Sequence, residues 1–189
     1  RMAIEDVLDH GRGGLGSSVV FSAGNENREI AADEIVAIPG VLNVGASNNF
    51  DEAAPFGNYG ASLSLTAPTG TLTTDISGPQ GADPSDYTSL FGGTSSACPV
   101  VAGVAALVIS AAPERTAREV GQILIASARR APYAVPDADG HDPVYGRGIV
   151  DPLGALIAAG VEVPEALPPS AALGDQSDAG AHGKRAAAS

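Results

Sequence analysis

The segment Phe91–Gly103 constrains the fold of this chain most, because it places a serine at the start of a long apolar run. It reads Phe-Gly-Gly-Thr-Ser-Ser-Ala-Cys-Pro-Val-Val-Ala-Gly. Glycines permit a sharp turn and a close backbone approach, and the small apolar residues predict a buried helix from Ser95 to Ala112. The first turn of a helix has unpaired N–H groups and a partial positive charge. An oxyanion that forms beside Ser95 would be stabilised by both.

A second motif, Ser22-Ala23-Gly24-Asn25-Glu26, follows an apolar run that predicts a buried strand. Together with Gly93–Pro99, which fits the pattern Gly-Thr-Ser-x-Ala-x-Pro, it resembles the subtilisin-like serine proteases (subtilases, peptidase S8 family). The resemblance extends over roughly residues 2–161. It implies an α/β, subtilisin-like three-layer fold with a mainly parallel sheet, of which this chain is the C-terminal half. The alternative is a Ser/Gly-rich helix cap without chemistry.

The resemblance also implies an activity and a set of site residues. It implies a serine endopeptidase that hydrolyses peptide bonds through an acyl-enzyme at Ser95, with the oxyanion held by the Asn25 amide and the Ser95 backbone N–H. A turn residue that stabilises its own loop is the alternative for Asn25. The residues that would bind or shape the approach of a peptide or protein substrate are Phe21, Ser22, Ala23, Gly24, Glu26, Gly93 and Thr94.

Glu26 has two equally good interpretations. By resemblance it lies near the rim of the pocket for the residue before the cut, where it would favour a basic or polar side chain. A solvated surface carboxylate explains it as well.

The catalytic acid and base of the family are missing from this sequence. A serine hydroxyl needs a neighbouring base to become a good nucleophile, and the family's Asp and His motifs precede its oxyanion asparagine. Neither motif occurs here, and none of His10, His141 and His182 carries the family's histidine pattern. We therefore expect the N-terminal half of the same protease, as the second chain of a nicked precursor, to supply both groups.

Two other functions remain as alternatives at this point. One is an inactive processed fragment or pseudoprotease with a binding or regulatory role. The other is an esterase of a different fold, but the Gly-x-Ser-x-Gly signature of the α/β-hydrolases is absent.

The patterning of the chain predicts its organisation. Residues 1–162 form the C-terminal part of the catalytic domain, and the Ala/Gly/Pro-rich residues 163–189 form a disordered tail. A proline before a glycine, Pro39, resembles a family position that favours a cis Ile38–Pro39 bond. The predicted elements are a helix at 2–10, parallel strands at 18–23 and 41–46, a strand at 62–68, an antiparallel pair at 71–75 and 87–91, a capping box at Thr116–Glu119 and a helix at 152–159.

Composition limits the partners. A net charge of −12 argues against nucleic acid and anionic membranes, and the longest apolar runs are too short for a membrane span. These features fit a protein that is secreted or in the cell envelope. The single Cys98 is expected to pack as a small apolar residue, with a reactive thiol as the alternative. No cofactor is required for the chemistry.

One loop is a candidate for structural calcium. Asp137, Asp139 and Asp142, with Gly140 between them, offer carboxylate oxygens in a short stretch. No glutamate follows at the position that an EF-hand requires, so an acidic surface turn is the alternative interpretation.

Overall fold

The computed structural model describes residues 1–163, so the predicted tail lies, apart from Val163, outside the described residues. The elements in chain order are α1 Met2–Gly14, β1 Val20–Ser22, a 3-10 turn Ile35–Ala37, β2 Leu42–Ser47, β3 Leu65–Pro68, β4 Thr73–Thr74, β5 Tyr87–Thr88, α2 Thr94–Ala111, α3 Ala117–Ser127 and α4 Pro152–Ala158. The backbone of α1 departs from helical geometry at Gly11–Gly13, directly after the helix predicted at 2–10.

A parallel three-stranded sheet in the order β1-β2-β3 forms the centre of the fold, which confirms the α/β prediction. Every residue of β2 is buried, as expected for a parallel strand that is covered on both faces. The outer edge of β3 is covered by a later segment, because Thr66 pairs with Ile149. Within residues 1–163, β1 pairs with β2 alone, so its other edge is bare.

Helices α2, α3 and α4 cover one face of the sheet. The buried side chains that build this core are Leu42, Val44, Ala46, Leu65, Ala67, Val101, Val108, Val120, Leu124 and Ala155. In a second, smaller cluster, Leu8 of α1 packs against Ile38 and Val41. The capping box at the start of α3 is confirmed, since Thr116 and Glu119 each bond the other's backbone N–H. The antiparallel pair is confirmed as β4 and β5.

The burial predicted for α2 is wrong on one side. Its apolar composition suggested a helix that is covered all round, but one stripe at helical spacing is exposed: Ser95, Pro99, Ala102, Gly103, Ala106 and Leu107. The sheet of this chain reaches only the other side of the helix.

By length and composition α2 is also the one helix within residues 1–163 that could span a membrane, although no uninterrupted apolar run predicted one. Because its buried side packs in the core against the sheet, we assign it to the α/β fold rather than to a membrane.

The predicted cis Ile38–Pro39 bond is wrong, because the described chain contains no cis peptide bond. The four residues Ile38–Val41 form a turn that is closed by a bond of 3.0 Å from Val41 N–H to the Ile38 carbonyl. Gly40 at the third position has φ 97°. Proline followed by a glycine with positive φ is the signature of a type II turn, in which the proline bond is trans.

The Tyr-Gly-Arg-Gly turn that covers the edge of β3 provides a prediction about stability. Gly146 has φ 62°, and a Cβ there would lie 2.5 Å from the carbonyl carbon and oxygen of Ser64. Gly146→Ala should therefore lower the free energy of unfolding by more than about 2 kcal/mol. The alanine would be strained at this positive φ, and the Ser64 backbone would also have to move away from its Cβ. Gly78→Ala is the matched control, because Gly78 has φ 84° and open space around it. It should cost only about 1 kcal/mol. Equal losses in chemical denaturation would contradict this account.

Candidate active site

The N-terminus of α2 lies where β1 and β3 end. Thr69, the residue after β3, donates its hydroxyl to the Gly93 carbonyl at 2.8 Å and lies 2.8 Å from the Ser96 hydroxyl. From the β1 side, Gly24 N–H donates to the Thr94 hydroxyl at 3.2 Å. The carboxyl ends of parallel strands are the usual place for a binding site in α/β folds. Ser95 stands in this first turn of the helix and is exposed.

The side chain of Asn25 is hydrogen-bonded to Thr94, the residue directly before Ser95. Its Oδ1 accepts hydrogen bonds from the backbone N–H of Thr94 at 2.9 Å and from the Thr94 hydroxyl at 3.0 Å. Because an N–H can only donate, the carbonyl side of the Asn25 amide must face Thr94. Within residues 1–163 the other side, Nδ2, has no hydrogen-bond partner, so it remains a donor for a ligand.

Glycine is required at position 93. Gly93 has φ 73°, and a Cβ there would lie 3.1 Å from both polar atoms of the Asn25 amide. Ser95 is the second residue of α2, and the N–H of such a residue has no partner within the helix. One turn therefore holds an exposed serine hydroxyl at a helix N-terminus, beside two N–H donors, Asn25 Nδ2 and the Ser95 backbone N–H. A nucleophile and oxyanion donors in this arrangement are what acyl transfer requires.

The predicted substrate-binding residues fall into two groups. Gly24, Gly93 and Thr94 surround the Asn25 amide. The side chains of Phe21 and Ala23, in contrast, pack into the core on the face of the sheet opposite α2, and Ser22 between them is half-buried in β1. Ala23 is buried and can therefore offer a substrate only its backbone, whereas Phe21 is half-buried.

Glu26 is exposed, and one of its two carboxylate oxygens is bonded within the loop that carries Asn25. Its Oε2 accepts a hydrogen bond of 2.6 Å from Asn58 Nδ2 and one of 3.1 Å from the Asn25 backbone N–H. One carboxylate oxygen is thus part of the scaffold of the loop rather than solvated. Asn58 was missed by the sequence analysis because it lies far along the chain and carries no motif of its own.

An ion pair between Arg28 and Glu34 follows Glu26 in the same segment. Arg28 and Glu34 meet at 2.6 Å, and the hydrogen bond from Arg28, aided by one from the Ala31 backbone, lowers the pKa of Glu34 to about 2. Whatever the exposed pair contributes to stability is present above the usual pKa of a glutamate and is lost as the pH falls towards 2.

Neither described histidine serves Ser95. His10 lies 2.8 Å from Asp6 on an exposed part of α1. His141 Nε2 contacts the Leu63 carbonyl at 2.9 Å, before β3 begins, whereas α2 is fastened to Thr69 after β3 ends. Six residues of extended chain separate those two points by about 20 Å. His182 lies outside the described residues.

The acidic loop is built for backbone support rather than for a metal ion. Asp142 is buried, and its two oxygens accept hydrogen bonds from the N–H groups of Val135, Val144 and Tyr145. One oxygen of Asp137 accepts from the N–H groups of Asp139 and His141. In the part of the chain that the structure describes, no three His, Cys, Asp or Glu side chains lie together to hold an ion. The loop therefore does not fit the calcium ligand set that was considered for it.

Cys98 lies one turn after Ser95 in α2 and is half-buried. Burial raises the pKa of its thiol above the usual value. A raised pKa disfavours the reactive thiolate, so the structure supports the small apolar interpretation.

Comparison with known proteins assigns the family. The profile of the subtilase family, peptidase S8, matches residues 2–148. A calcium-dependent protease of a Nostoc species is 32% identical over 185 aligned positions, covering 87% of this chain and 28% of the relative. An extracellular basic protease of Dichelobacter nodosus is 40% identical over 149 positions, covering 76% of this chain and 24% of the relative.

A solved structure agrees with these relatives. A protease from Pseudoalteromonas arctica has a TM-score of 0.61 and 31% identity, covering 78% of this chain and 44% of its own. The chain thus spans about a quarter of the length of the two curated relatives. On these matches together with the geometry around Ser95, the chain belongs to the subtilase family.

Proposed function

We propose that this chain carries the nucleophile and the oxyanion hole of a serine endopeptidase. The observation that supports this most is the pair of bonds from Thr94 to the Asn25 Oδ1, because they leave Nδ2 free beside the helix turn that holds Ser95. A helix cap without chemistry has no need for an exposed serine and an unused amide donor in the same place.

In the proposed reaction, Ser95 Oγ attacks the carbonyl carbon of a peptide bond while a base removes its proton. The carbonyl oxygen becomes an oxyanion that accepts hydrogen bonds from Asn25 Nδ2 and from the Ser95 backbone N–H. Collapse of the tetrahedral intermediate releases the amine, which takes the proton back from the base, and leaves an ester on Ser95. Water then attacks the ester by the same route and releases the acid.

The acid and the base in this proposal come from residues outside this sequence, in an N-terminal half of the same protease that carries Asp and His. Two features support such a partner. Among the described residues 1–163, nothing pairs with the outer edge of β1, whose backbone N–H and C=O groups are open, and the exposed stripe of α2 presents Ala102, Ala106 and Leu107 to solvent. The stripe lies on the helix that carries Ser95, and β1 leads into the loop that carries Asn25. A further strand and a covering helix from the partner would satisfy both.

Reconstitution tests the proposal. The chain should be produced alone and together with the N-terminal segment that precedes it in the precursor, and hydrolysis of a fluorogenic peptide should be measured for each. We expect activity only with the segment present, and a higher midpoint of thermal unfolding, because the bare edge and the exposed stripe become covered. Absence of activity in the complex, with Asp and His present, would favour the non-catalytic alternative of a regulatory or binding fragment.

We propose that the protease acts outside the cytoplasm. Supporting relatives include the Dichelobacter nodosus enzyme above and an extracellular serine proteinase of a Thermus species. The Nostoc relative is named for calcium dependence. Because Asp142 uses both oxygens on backbone N–H groups, we assign no calcium-binding role to the loop at 137–142 of this chain.

A further inference from the structure

Asn58 holds the loop that carries Asn25 from both sides. Its backbone N–H donates to the Gly24 carbonyl at 3.0 Å. Its side-chain Oδ1 accepts from the backbone N–H groups of Glu26 and Arg28 at 3.0 and 3.2 Å. The bonds to Gly24 and Glu26 therefore bracket Asn25 in the chain.

The side-chain nitrogen of Asn58 links the loop through Glu26. Nδ2 donates to Glu26 Oε2 at 2.6 Å, and the same Oε2 accepts from the Asn25 backbone N–H at 3.1 Å. Asn58 is only 3% exposed, so water cannot replace these bonds without a change in the loop. A Cβ on Gly24, which has φ 99°, would lie 2.4 Å from Asn58 Nδ2, so the two segments are in close contact.

We propose that Asn58 is a positioning residue of the oxyanion hole: it acts through Asn25 and does not touch the substrate. This inference rests on the proposed function, because it concerns the oxyanion that forms at Ser95. Thr94 fixes the end of the Asn25 side chain, whereas Asn58 and Glu26 fix the backbone from which that side chain extends. An oxyanion donor must be held to within a few tenths of an ångström, because a misplacement of about 1 Å costs on the order of 10²-fold in rate.

The chain contains a matched control for this role. Asn48 makes the same three kinds of bond in the loop after β2: Oδ1 accepts from the N–H groups of Phe50 and Glu52 at 2.8 and 3.0 Å, and Nδ2 donates to Glu52 Oε2 at 2.8 Å. Its loop does not carry Asn25. Asn48 is half-buried rather than buried, so truncating it removes the same kinds of hydrogen bond at a more exposed place, without touching the oxyanion loop.

The test measures kcat and KM in the assembled protease, with a peptide that has a neutral side chain before the cut. Asn58→Ala should lower kcat about 10- to 100-fold and leave KM within about twofold, because the loss falls on the transition state. Asn48→Ala should leave kcat within about twofold while it lowers the midpoint of thermal unfolding. In an Asn25→Ala background, Asn58→Ala should have less than about a twofold further effect on kcat, since the group that it positions is already gone.

A charge exchange keeps the proposal testable if Asn58→Ala does not fold. Asn58→Asp retains the acceptor for the two N–H groups but sets a carboxylate against Glu26, so kcat should fall at least about tenfold. Adding Glu26→Gln removes the repulsion between the two carboxylates and gives the new carboxylate at position 58 a donor, although that amide nitrogen cannot also accept from the Asn25 N–H, which bonds Glu26 Oε2 in the wild-type chain. The added substitution should recover at least about fivefold in kcat relative to Asn58→Asp, read against Glu26→Gln alone.

Several outcomes would overturn the inference. They are an unchanged kcat in folded Asn58→Ala, a full additional loss in the Asn25→Ala background, or no recovery in N58D/E26Q. Wild-type protease without activity would instead refute the proposed function, so the two failures are distinguishable.

Discussion

Replacing Ser95 with alanine should reduce kcat of the assembled protease by about 10⁶-fold; that magnitude is the one known for subtilisin, a member of this family, and is carried over from it. The physical reason is that no other nucleophile is available in the same turn. Ser96, the neighbouring serine, is buried and bonded to Thr69. The measurement is steady-state hydrolysis of a fluorogenic peptide.

Ser110→Ala is the control for this substitution, because Ser110 lies on the same helix, is exposed and is far from the first turn. It should retain wild-type kcat. An active S95A variant would show that the chemistry occurs elsewhere.

The second large effect is expected at Asn25. Asn25→Ala should lower kcat about 10²- to 10³-fold, again the cost known for the corresponding donor in subtilisin. KM should change little, because the hydrogen bond forms only as the oxyanion develops. The measurement is kcat and KM on one peptide substrate.

Asn25→Asp refines the test. A carboxylate can still accept the two hydrogen bonds from Thr94, which Oδ1 accepts at 2.9 and 3.0 Å in the wild-type chain. Its other oxygen cannot donate and repels the oxyanion, so kcat should fall at least as far as in Asn25→Ala. If Asn25→Asp retained activity, the anchoring of the loop, rather than the donor, would be the function of Asn25.

Local patterns were enough to predict most of the elements. Apolar runs with turn residues on either side predicted β1 and β2, and Thr116 with Glu119 three residues later predicted the start of α3. The Ser95 turn was predictable because its glycines and the helix that follows are contiguous in sequence. Contacts between neighbours in the chain are the ones that a motif records.

Two of the errors came from contacts between distant segments, whereas the error at Pro39 was local. Asn58 meets Glu26 across 32 positions, and no local pattern indicates such a bond. The exposure of Ala102 and Leu107 depends on what covers α2 rather than on the composition of the helix. At Pro39 the deciding factor was the turn around Gly40, since a positive φ there selects a trans bond.

The most direct test of the central claim is to label the assembled protease with a fluorophosphonate and to locate the adduct by mass spectrometry. The account predicts a rapidly formed adduct on the peptide that contains Ser95, its loss in Ser95→Ala and slower formation in Asn25→Ala. An adduct on another residue, or no adduct in a preparation that hydrolyses peptides, would contradict it.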